Sequence, residues 1–372
     1  MQKILKRILF IGLGGAGQRH LRLFRNFLPD VELIAYRSTN KTPLLNADFS
    51  VNEKDSIEEV YQIDIYNNID EVLALKPDLA VISTPSSMHL EYAQLCASRG
   101  IDVFVEKPIS NSLDGLQVLK DTVKSNNVAI QVGFQRRFHP HLSKVKEIIK
   151  SRQLGQLLTV NFTVASYIPK WHPYENYLDL YACRKELGGG VLLTEIHEID
   201  LSVWYFGMPK SVVCVGGTYS NVGIDVEDTV SLVLDYIKFS VRINLTFWQK
   251  HHERSFSIYG EEGCLSWNQD DDLLIEEYFN KAVKNTKHAN FNFDNDTMFN
   301  LQIKSLIENI GTLDSDANMN DSISSMKIIE AAKESMRPVR SNSSSTVPRI
   351  IAPVAPRGCP MAMAPPQTLI SS

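Results

Sequence analysis

The sequence has little excess charge and no long apolar run. Its 372 residues include 38 Lys and Arg against 43 Asp and Glu, which gives a formal net charge of −5. Proteins that bind nucleic acids or anionic membrane surfaces need clustered positive charge, so this balance argues against both kinds of partner. No uninterrupted apolar stretch approaches the ~20 residues that a membrane-spanning helix needs. We therefore expect a soluble protein with no nucleic-acid or membrane partner.

Cysteine is scarce and irregularly spaced. Five scattered residues with no C-x-x-C pair argue against a zinc site and a disulfide framework, and they suit a reducing compartment. The adjacent His251 and His252 would point to opposite faces of a strand, so we expect no metal there. The apolar run at residues 8–11 is too short for the core of a signal peptide. We expect a cytoplasmic protein.

The first 130 residues alternate short apolar runs with helical patterns. Because these runs show no polar alternation, they indicate strands that are covered on both faces, as in a parallel sheet with crossover helices. We predict a doubly wound α/β (Rossmann) domain over residues 1–125. Its predicted strands are 8–12, 31–36, 79–83 and 103–105, and a further strand is predicted at 128–132. Its predicted helices are 17–27, 69–75, 90–98 and 113–123.

A different pattern follows, with strands predicted at 157–164, 226–236, 240–248, 255–259 and 264–267. Apolar residues there alternate with polar ones such as Arg242 and Asn244, which is typical of an antiparallel sheet with one wet face. With helices at 298–310 and 322–336, residues 126–337 are predicted to form an α+β domain with an open, mostly antiparallel sheet. An open face is adhesive, so we expect a homodimer or homotetramer through it. The Pro/Ser-rich segment 338–372 is predicted to be a disordered tail.

The first strand runs into a glycine-rich turn. Gly12, Gly14 and Gly17 form G-x-G-x-x-G between a predicted strand and a predicted helix, the context that a dinucleotide-binding turn requires. The first glycine makes the tight turn, the second lets the backbone approach a pyrophosphate, and the third lets the helix pack on the strand. We expect Gly15 and Ala16 to border the phosphates as well. A glycine-rich turn without a ligand is the alternative.

The end of the second strand distinguishes between cofactors. An acid there would bind the ribose hydroxyls of NAD and repel a 2′-phosphate. This strand ends instead in Arg37 and Ser38, a guanidinium and a hydroxyl that suit the 2′-phosphate of NADP. We expect NADP, with NAD as the alternative. Arg37 as a merely solvated surface charge is the competing interpretation.

Three further segments carry polar residues at places where chemistry is expected. The third apolar strand (79–83) runs into Thr84-Pro85-Ser86-Ser87-Met88-His89, the next ends in Glu106-Lys107-Pro108, and a triple glycine at 188–190 precedes His197. With these motifs the chain resembles the glucose–fructose oxidoreductase/inositol dehydrogenase (Gfo/Idh/MocA) family from about residue 6 to 336. The resemblance implies a two-domain NAD(P)-dependent oxidoreductase.

Elementary chemistry gives these residues roles. Thr84, Glu106 and Lys107 would emerge at the carboxyl ends of parallel strands, where ligands of open α/β sheets bind. Oxidation of a secondary alcohol needs a group that takes the hydroxyl proton. Lys107 can bind the oxygen, and His197, with an ordinary pKa near ~6.5, is the better base. The resemblance implies the same catalytic pair. We expect the cofactor to be bordered also by Pro85, His89 and Gln135.

Substrate-binding residues are expected on both sides of the domain junction. Gln135 and Arg136 lie in a segment that looks like the family's hinge, where the arginine binds a substrate anion or braces the interface. An aromatic and cationic stretch follows, whose rings stack on sugars or pack on the sheet. Many relatives carry aspartate where Thr194 stands, and Thr194, His197 and Asp200 would share one helix face. The expected substrate-binding residues are Arg136, Trp171, Tyr174, Arg184, Thr194 and His197.

The leading hypothesis is an oxidoreductase that acts on a CH–OH carbon of a sugar, sugar nucleotide or acidic sugar, in surface-polysaccharide biosynthesis. One rival is a redox-neutral epimerase or glycosidase that retains NAD. Another is a dinucleotide-binding regulator without catalysis. Because both Lys107 and His197 are present, the regulator is the weaker alternative.

Overall fold

The computed structural model describes residues 3–39, 42–279, 285–289 and 294–336. The predicted tail at 338–372 lies outside the described residues. Within them, no helix is both long enough and apolar enough to cross a membrane. The first elements in chain order are β1 (Arg7–Ile11), α1 (Gly15–Phe27), β2 (Glu32–Tyr36), α2 (Ile57–Tyr61), β3 (Ile63–Tyr66), α3 (Ile69–Ala74), β4 (Leu79–Ile82), α4 (His89–Ser98), β5 (Asp102–Glu106), α5 (Leu116–Ser125) and β6 (Ile130–Gly133).

These strands form one parallel sheet in the order β3-β2-β1-β4-β5-β6. This is the strand order of dinucleotide-binding folds, with its switch point between β1 and β4, so the predicted Rossmann class is confirmed. β1 and β4 are almost wholly buried, as their uninterrupted apolar sequences indicate. The edge strand β3 escaped prediction because it is only four residues long and Asp64 interrupts its apolar residues. β6 pairs with β5, so the sheet continues beyond the boundary predicted after residue 125.

The second part of the chain contains a larger sheet and the remaining helices. Its elements are α6 (Pro140–Lys150), β7 (Leu157–Tyr167), α7 (Val191–Thr194), α8 (His197–Phe206), β8 (Ser211–Gly217), β9 (Thr229–Asp235), β10 (Ser240–Thr246), β11 (Trp248–Gly260), β12 (Gly263–Asn268), β13 (Leu273–Tyr278), β14 (Thr286–Ala289), α9 (Asn295–Asn309) and α10 (Ser315–Met336).

The described strands of this second sheet run in the order β14-β13-β12-β11-β7-β10-β9-β8, and only β7 and β10 are parallel neighbours. The prediction of an open, mostly antiparallel sheet is therefore confirmed. The alternation in β10 has the predicted consequence: Val241, Ile243 and Leu245 are buried, whereas Arg242 and Asn244 are exposed. The outer face mixes polar side chains with exposed apolar ones such as Val233, and hydrogen bonds connect its strands, for example from Arg242 Nη1 to Asn161 Oδ1 at 3.3 Å.

The last two helices link the two halves of the molecule. α10 packs on β8 and α8 of the second half and on β6 and α5 of the first, with Met326 and Ile329 in the main core. α9 packs instead on α1, and its Phe299 and Ile303 join the core around Phe10. The helix predicted at 298–310 was placed with the second domain, whereas the apolar residues of α9 complete the core of the first domain.

Candidate active site

A cleft of about 650 Å³ lies along the carboxyl ends of β1, β2, β4 and β5 and is bordered on the other side by residues 171–187. This is where ligands of open α/β sheets bind. The predicted site residues that line it are Gly12, Gly14, Gly15, Ala16, Arg37, Ser38, Thr84, Pro85, His89, Glu106, Lys107, Gln135, Trp171 and Tyr174.

The glycine-rich turn has the geometry that a dinucleotide requires. Gly12 has φ = +92°, a left-handed backbone that favours glycine. A Cβ added at Gly17 would meet the carbonyl oxygen of Gly12 at 2.2 Å, so α1 packs on β1 only with a glycine there. A Cβ added at Gly14 would meet no other atom within 4 Å, so the space beside this glycine is open. The first N–H groups of α1 therefore face a cradle that fits a diphosphate, and the turn fits the cofactor.

At the end of β2, Arg37 and Ser38 face the same cleft, and the strand runs directly into these two residues with no acid between them. The Arg37 guanidinium donates from Nη2 to the carbonyl oxygen of Thr42 at 2.8 Å, which holds it along the cleft wall. Burial lowers the pKa of Arg37, but an arginine stays charged at neutral pH.

His89 ties the loops after β4 and β5 together. Its Nδ1 lies 2.6 Å from the carbonyl oxygen of Pro108, and its Nε2 lies 2.8 Å from that of Thr84. Burial lowers the pKa of His89. The residue therefore shapes the cleft wall by joining two strand ends.

Sequence reasoning missed a buried pair of side chains in the wall of the cleft. Nε2 of His20, on α1, lies 2.6 Å from Oε1 of Glu106, and Oε2 of Glu106 accepts from the backbone N–H of Lys107 at 3.1 Å. Burial alone would raise the pKa of Glu106, but the hydrogen bond and charge of His20, with the charge of Lys107, lower it below its ordinary value. His20 lies three residues after Gly17 and therefore on the same face of α1. This spacing was the available sign that His20 faces the sheet.

The two predicted catalytic residues meet at the domain junction. Lys107, directly after β5, donates from Nζ to the carbonyl oxygen of Thr194 at 2.7 Å. His197, three residues after Thr194, is the first residue of α8 and is buried. The amide nitrogen of Gln135 lies 3.4 Å from its Nε2, an arrangement in which the amide donates to an unprotonated ring nitrogen. Lys107 and Gln135 line the cleft, so His197 lies directly behind its wall.

The charge around His197 favours a neutral ring. Burial, followed by the positive charges of Lys107, Arg136 and Arg254, lowers the pKa of His197 well below 6.5. Nδ1 of this ring has no hydrogen-bond partner among the described residues. A neutral imidazole has a lone pair that can accept a proton, as a general base must, and its lowered pKa makes it a weaker base than an ordinary histidine.

The expected single helix through Thr194, His197 and Asp200 is wrong. α7 ends at Thr194 and α8 starts at His197, so the helix is interrupted at residues 195–196. Asp200 is held by Arg137 at 2.6 Å, and it takes no place beside the catalytic pair. Thr194 contributes its carbonyl oxygen through the Lys107 contact, while its side chain is buried.

A buried arginine on β11 holds the segment between α7 and α8 in place. Arg254 donates from Nη1 to Oε1 of Glu198 at 2.6 Å and pairs through Nη2 with Glu195. Glu195 and Glu198 lie on either side of His197 in the chain, so one guanidinium holds both flanks of the predicted base. Sequence reasoning had left Glu195 without a role.

Four predicted substrate residues take different positions. Trp171 lines the cleft, with its ring against Phe247 at 5.4 Å. Tyr174 lies at the glycine-rich turn rather than beside Lys107. Arg136 is buried outside the lining and donates to Gln269 Oε1 at 2.9 Å. Arg184 is exposed and pairs with its neighbour Glu186.

Comparison with known proteins agrees with this geometry. Residues 6–134 match the family described as "Oxidoreductase family, NAD-binding Rossmann fold", and residues 142–266 match the GFO/IDH/MocA C-terminal domain. The chain belongs to the Gfo/Idh/MocA family. Membership makes it an oxidoreductase with an NAD-binding domain, and the resemblance noted in the sequence is confirmed.

Relatives in this family cover much of the chain. A scyllo-inositol 2-dehydrogenase (NAD(+)) of Bacillus subtilis is 28% identical over 267 residues, 70% of this chain and 72% of that one. An uncharacterised oxidoreductase of Streptococcus pneumoniae is 25% identical over 240 residues, 63% of this chain and 64% of that one. The WlbA dehydrogenase of Bordetella pertussis, solved with NADH and UDP-GlcNAcA, superposes with a TM-score of 0.74 at 21% identity, over 89% of this chain and 97% of that one.

The neutral state of His197 can be tested in solution. Because burial and three nearby cations disfavour its protonated form, we expect its ring to stay neutral as the pH falls from 8 through 6.5. The measurement is an NMR titration of ring-labelled histidine, with the His197→Asn variant identifying the resonance. A titration midpoint at or above 6.5 would contradict this assignment of charge.

Proposed function

We propose that the protein is an NAD(P)-dependent dehydrogenase or reductase acting on a CH–OH carbon of a sugar, sugar nucleotide or acidic sugar. The observation that carries the proposal is the junction of Lys107 and a neutral His197 at the cleft that begins with the glycine-rich turn. When bound, the nicotinamide cofactor supplies the hydride acceptor or donor. The chain's own residues must then manage the alcohol oxygen and its proton.

Lys107 and His197 divide that task. The Lys107 ammonium donates to the substrate oxygen and stabilises the negative charge that develops on it as the proton leaves. His197 accepts that proton, since its Nε2 is the unprotonated ring nitrogen beside Gln135. In the reverse direction the same imidazole returns the proton to the alkoxide. Glu106, held by His20, fixes the backbone from which Lys107 extends.

The other end of the cleft suits a polyhydroxylated ring. Trp171 and Tyr181 offer aromatic surface for an apolar sugar face, and Asp179 offers carboxylate acceptors for hydroxyl groups. The names of an inositol dehydrogenase relative and of a neighbour solved with a sugar nucleotide support the same class. A place in surface-polysaccharide biosynthesis stays a prediction.

Lys107→Ala tests the catalytic assignment. We expect turnover to fall about 10²–10⁴-fold, the range for loss of a group that handles charge or protons in the transition state. Cofactor affinity should change little, because the glycine-rich turn is untouched. Sugars, inositols and sugar nucleotides would be screened for absorbance change at the nicotinamide band, with the exposed Lys124→Ala as the matched control. Full activity in Lys107→Ala would refute the assignment; retained cofactor without net absorbance change would favour the redox-neutral alternative.

The cofactor preference is proposed to be NADP, because β2 ends in Arg37 and Ser38 without an acid. Arg37→Ala should raise the KM for NADP⁺ roughly ten- to hundredfold, the value of a charge-assisted hydrogen bond to a phosphate, and leave the KM for NAD⁺ within about twofold. Arg99→Ala, a surface arginine beyond α4, serves as the control. Equal affinity of the wild-type protein for both cofactors would contradict the preference.

The outer face of the second sheet is proposed to join copies of the chain. It is broad and holds exposed apolar residues such as Val233 and Val215 among small polar ones. Burying this face against a second copy would remove apolar surface from water. Light scattering at micromolar concentration should give a multiple of 42.0 kDa, and Val233→Lys should shift the mass towards the monomer. Val118→Lys, on exposed α5, should have no such effect. A wild-type monomer would contradict the proposal.

A further inference from the structure

Three aromatic rings form a continuous stack across the entrance to the cleft. Phe49 comes from the loop that follows β2, while His172 and Tyr174 come from the segment after β7. The Phe49 and His172 rings lie 6.1 Å apart at 20°, and the His172 and Tyr174 rings lie 5.1 Å apart at 15°. We call Phe49, His172 and Tyr174 the aromatic clasp. It joins the first domain to the second.

The aromatic clasp lies directly on the glycine-rich turn. A Cβ added at Gly15 would meet Cε1 of Phe49 and the hydroxyl oxygen of Tyr174, each at 2.9 Å. Gly15 is the first residue of α1, where backbone N–H groups can receive an anion, and its own N–H donates a hydrogen bond to the Tyr174 hydroxyl oxygen. The Tyr174 hydroxyl thus reaches the place where a diphosphate would be held. Burial raises the pKa of Tyr174, so this hydroxyl keeps its proton and can donate it in a hydrogen bond.

The two halves of the aromatic clasp are anchored differently. On the first domain, the guanidinium of Arg19 lies 4.9 Å from the Phe49 ring and 4.4 Å from the Phe299 ring, so Phe49 is braced by α1 and α9. On the second domain, His172 is held by an exposed contact from Nδ1 to Oε1 of Glu175 at 2.8 Å. The Tyr174 hydroxyl lies 3.3 Å from the same Nδ1, so the second half is held by these partly exposed contacts together with the ring stack.

We propose that the aromatic clasp closes over the cofactor diphosphate, that Tyr174 donates a hydrogen bond to it, and that opening of the clasp limits cofactor release. The proposal rests on the proposed function only in requiring a dinucleotide at the glycine-rich turn. The segment of His172 and Tyr174 also contains Trp171 on the substrate side of the cleft. A bound substrate therefore steadies the same segment that retains the cofactor during turnover.

The test is the dissociation rate of NADPH, and of NADH in parallel, measured by stopped-flow fluorescence after mixing the complex with excess oxidised cofactor. Tyr174→Phe removes the hydroxyl and keeps the ring, and it should speed release about tenfold, since the lost hydrogen bond goes to a charged group. Phe49→Leu keeps apolar volume but removes the stack, and it should speed release roughly three- to tenfold. Tyr177→Phe is the matched control: its ring packs on Trp248 outside the cleft lining, and release should stay within about twofold.

The double variant distinguishes one clasp from two separate contacts. If the rings act together, Tyr174→Phe combined with Phe49→Leu should speed release by clearly less than the product of the single effects. Additive effects, or wild-type release rates in both single variants with normal thermal unfolding, would overturn the clasp while leaving the proposed function intact. Failure of the wild-type protein to bind either reduced cofactor would overturn both.

Discussion

The hydrogen bond from Lys107 Nζ to the carbonyl oxygen of Thr194, 2.7 Å long, joins the two halves of the site. Lys107 belongs to the end of β5 in the first domain, and Thr194 closes α7 in the second. This contact holds the ammonium beside the short turn that leads to His197, and the Gln135–His197 contact lies at the same junction. In this contact the ammonium donates to one neutral acceptor, the Thr194 carbonyl oxygen, and a substrate oxygen can take the place of that acceptor. Glu106 and His20 meanwhile hold the backbone of Lys107 in place.

Buried charge supports this junction from behind. Arg254 holds Glu195 and Glu198, the residues that flank His197, and breaking such a buried pair by removing one partner leaves an uncompensated charge that costs several kcal/mol. The same arginine adds to the positive field that keeps His197 neutral. One interior residue thus contributes to both the position and the protonation state of the base.

The sequence predicts those parts of the molecule that depend on local pattern. Apolar runs gave the parallel sheet, alternation in β10 gave the open sheet, and the glycine spacing gave the turn at Gly12. The pairings that set the chemistry join distant segments: His20 and Glu106 are 86 residues apart, and Arg254 is 59 residues from Glu195. Such contacts depend on how the elements pack, which periodicity does not encode. Tyr174 shows the same limit, because its aromatic character was evident and its position on the glycine-rich turn was not.

The same reasoning explains where a family resemblance helps. It singled out Lys107 and His197 from short motifs, and the contacts and nearby charges of these two residues support the roles proposed for them. The most direct measurement is a crystal structure of the chain with oxidised cofactor and a sugar that it binds. We expect the reacting hydroxyl oxygen within hydrogen-bond distance of both Lys107 Nζ and His197 Nε2. A substrate oxygen that contacts neither group would contradict the central claim.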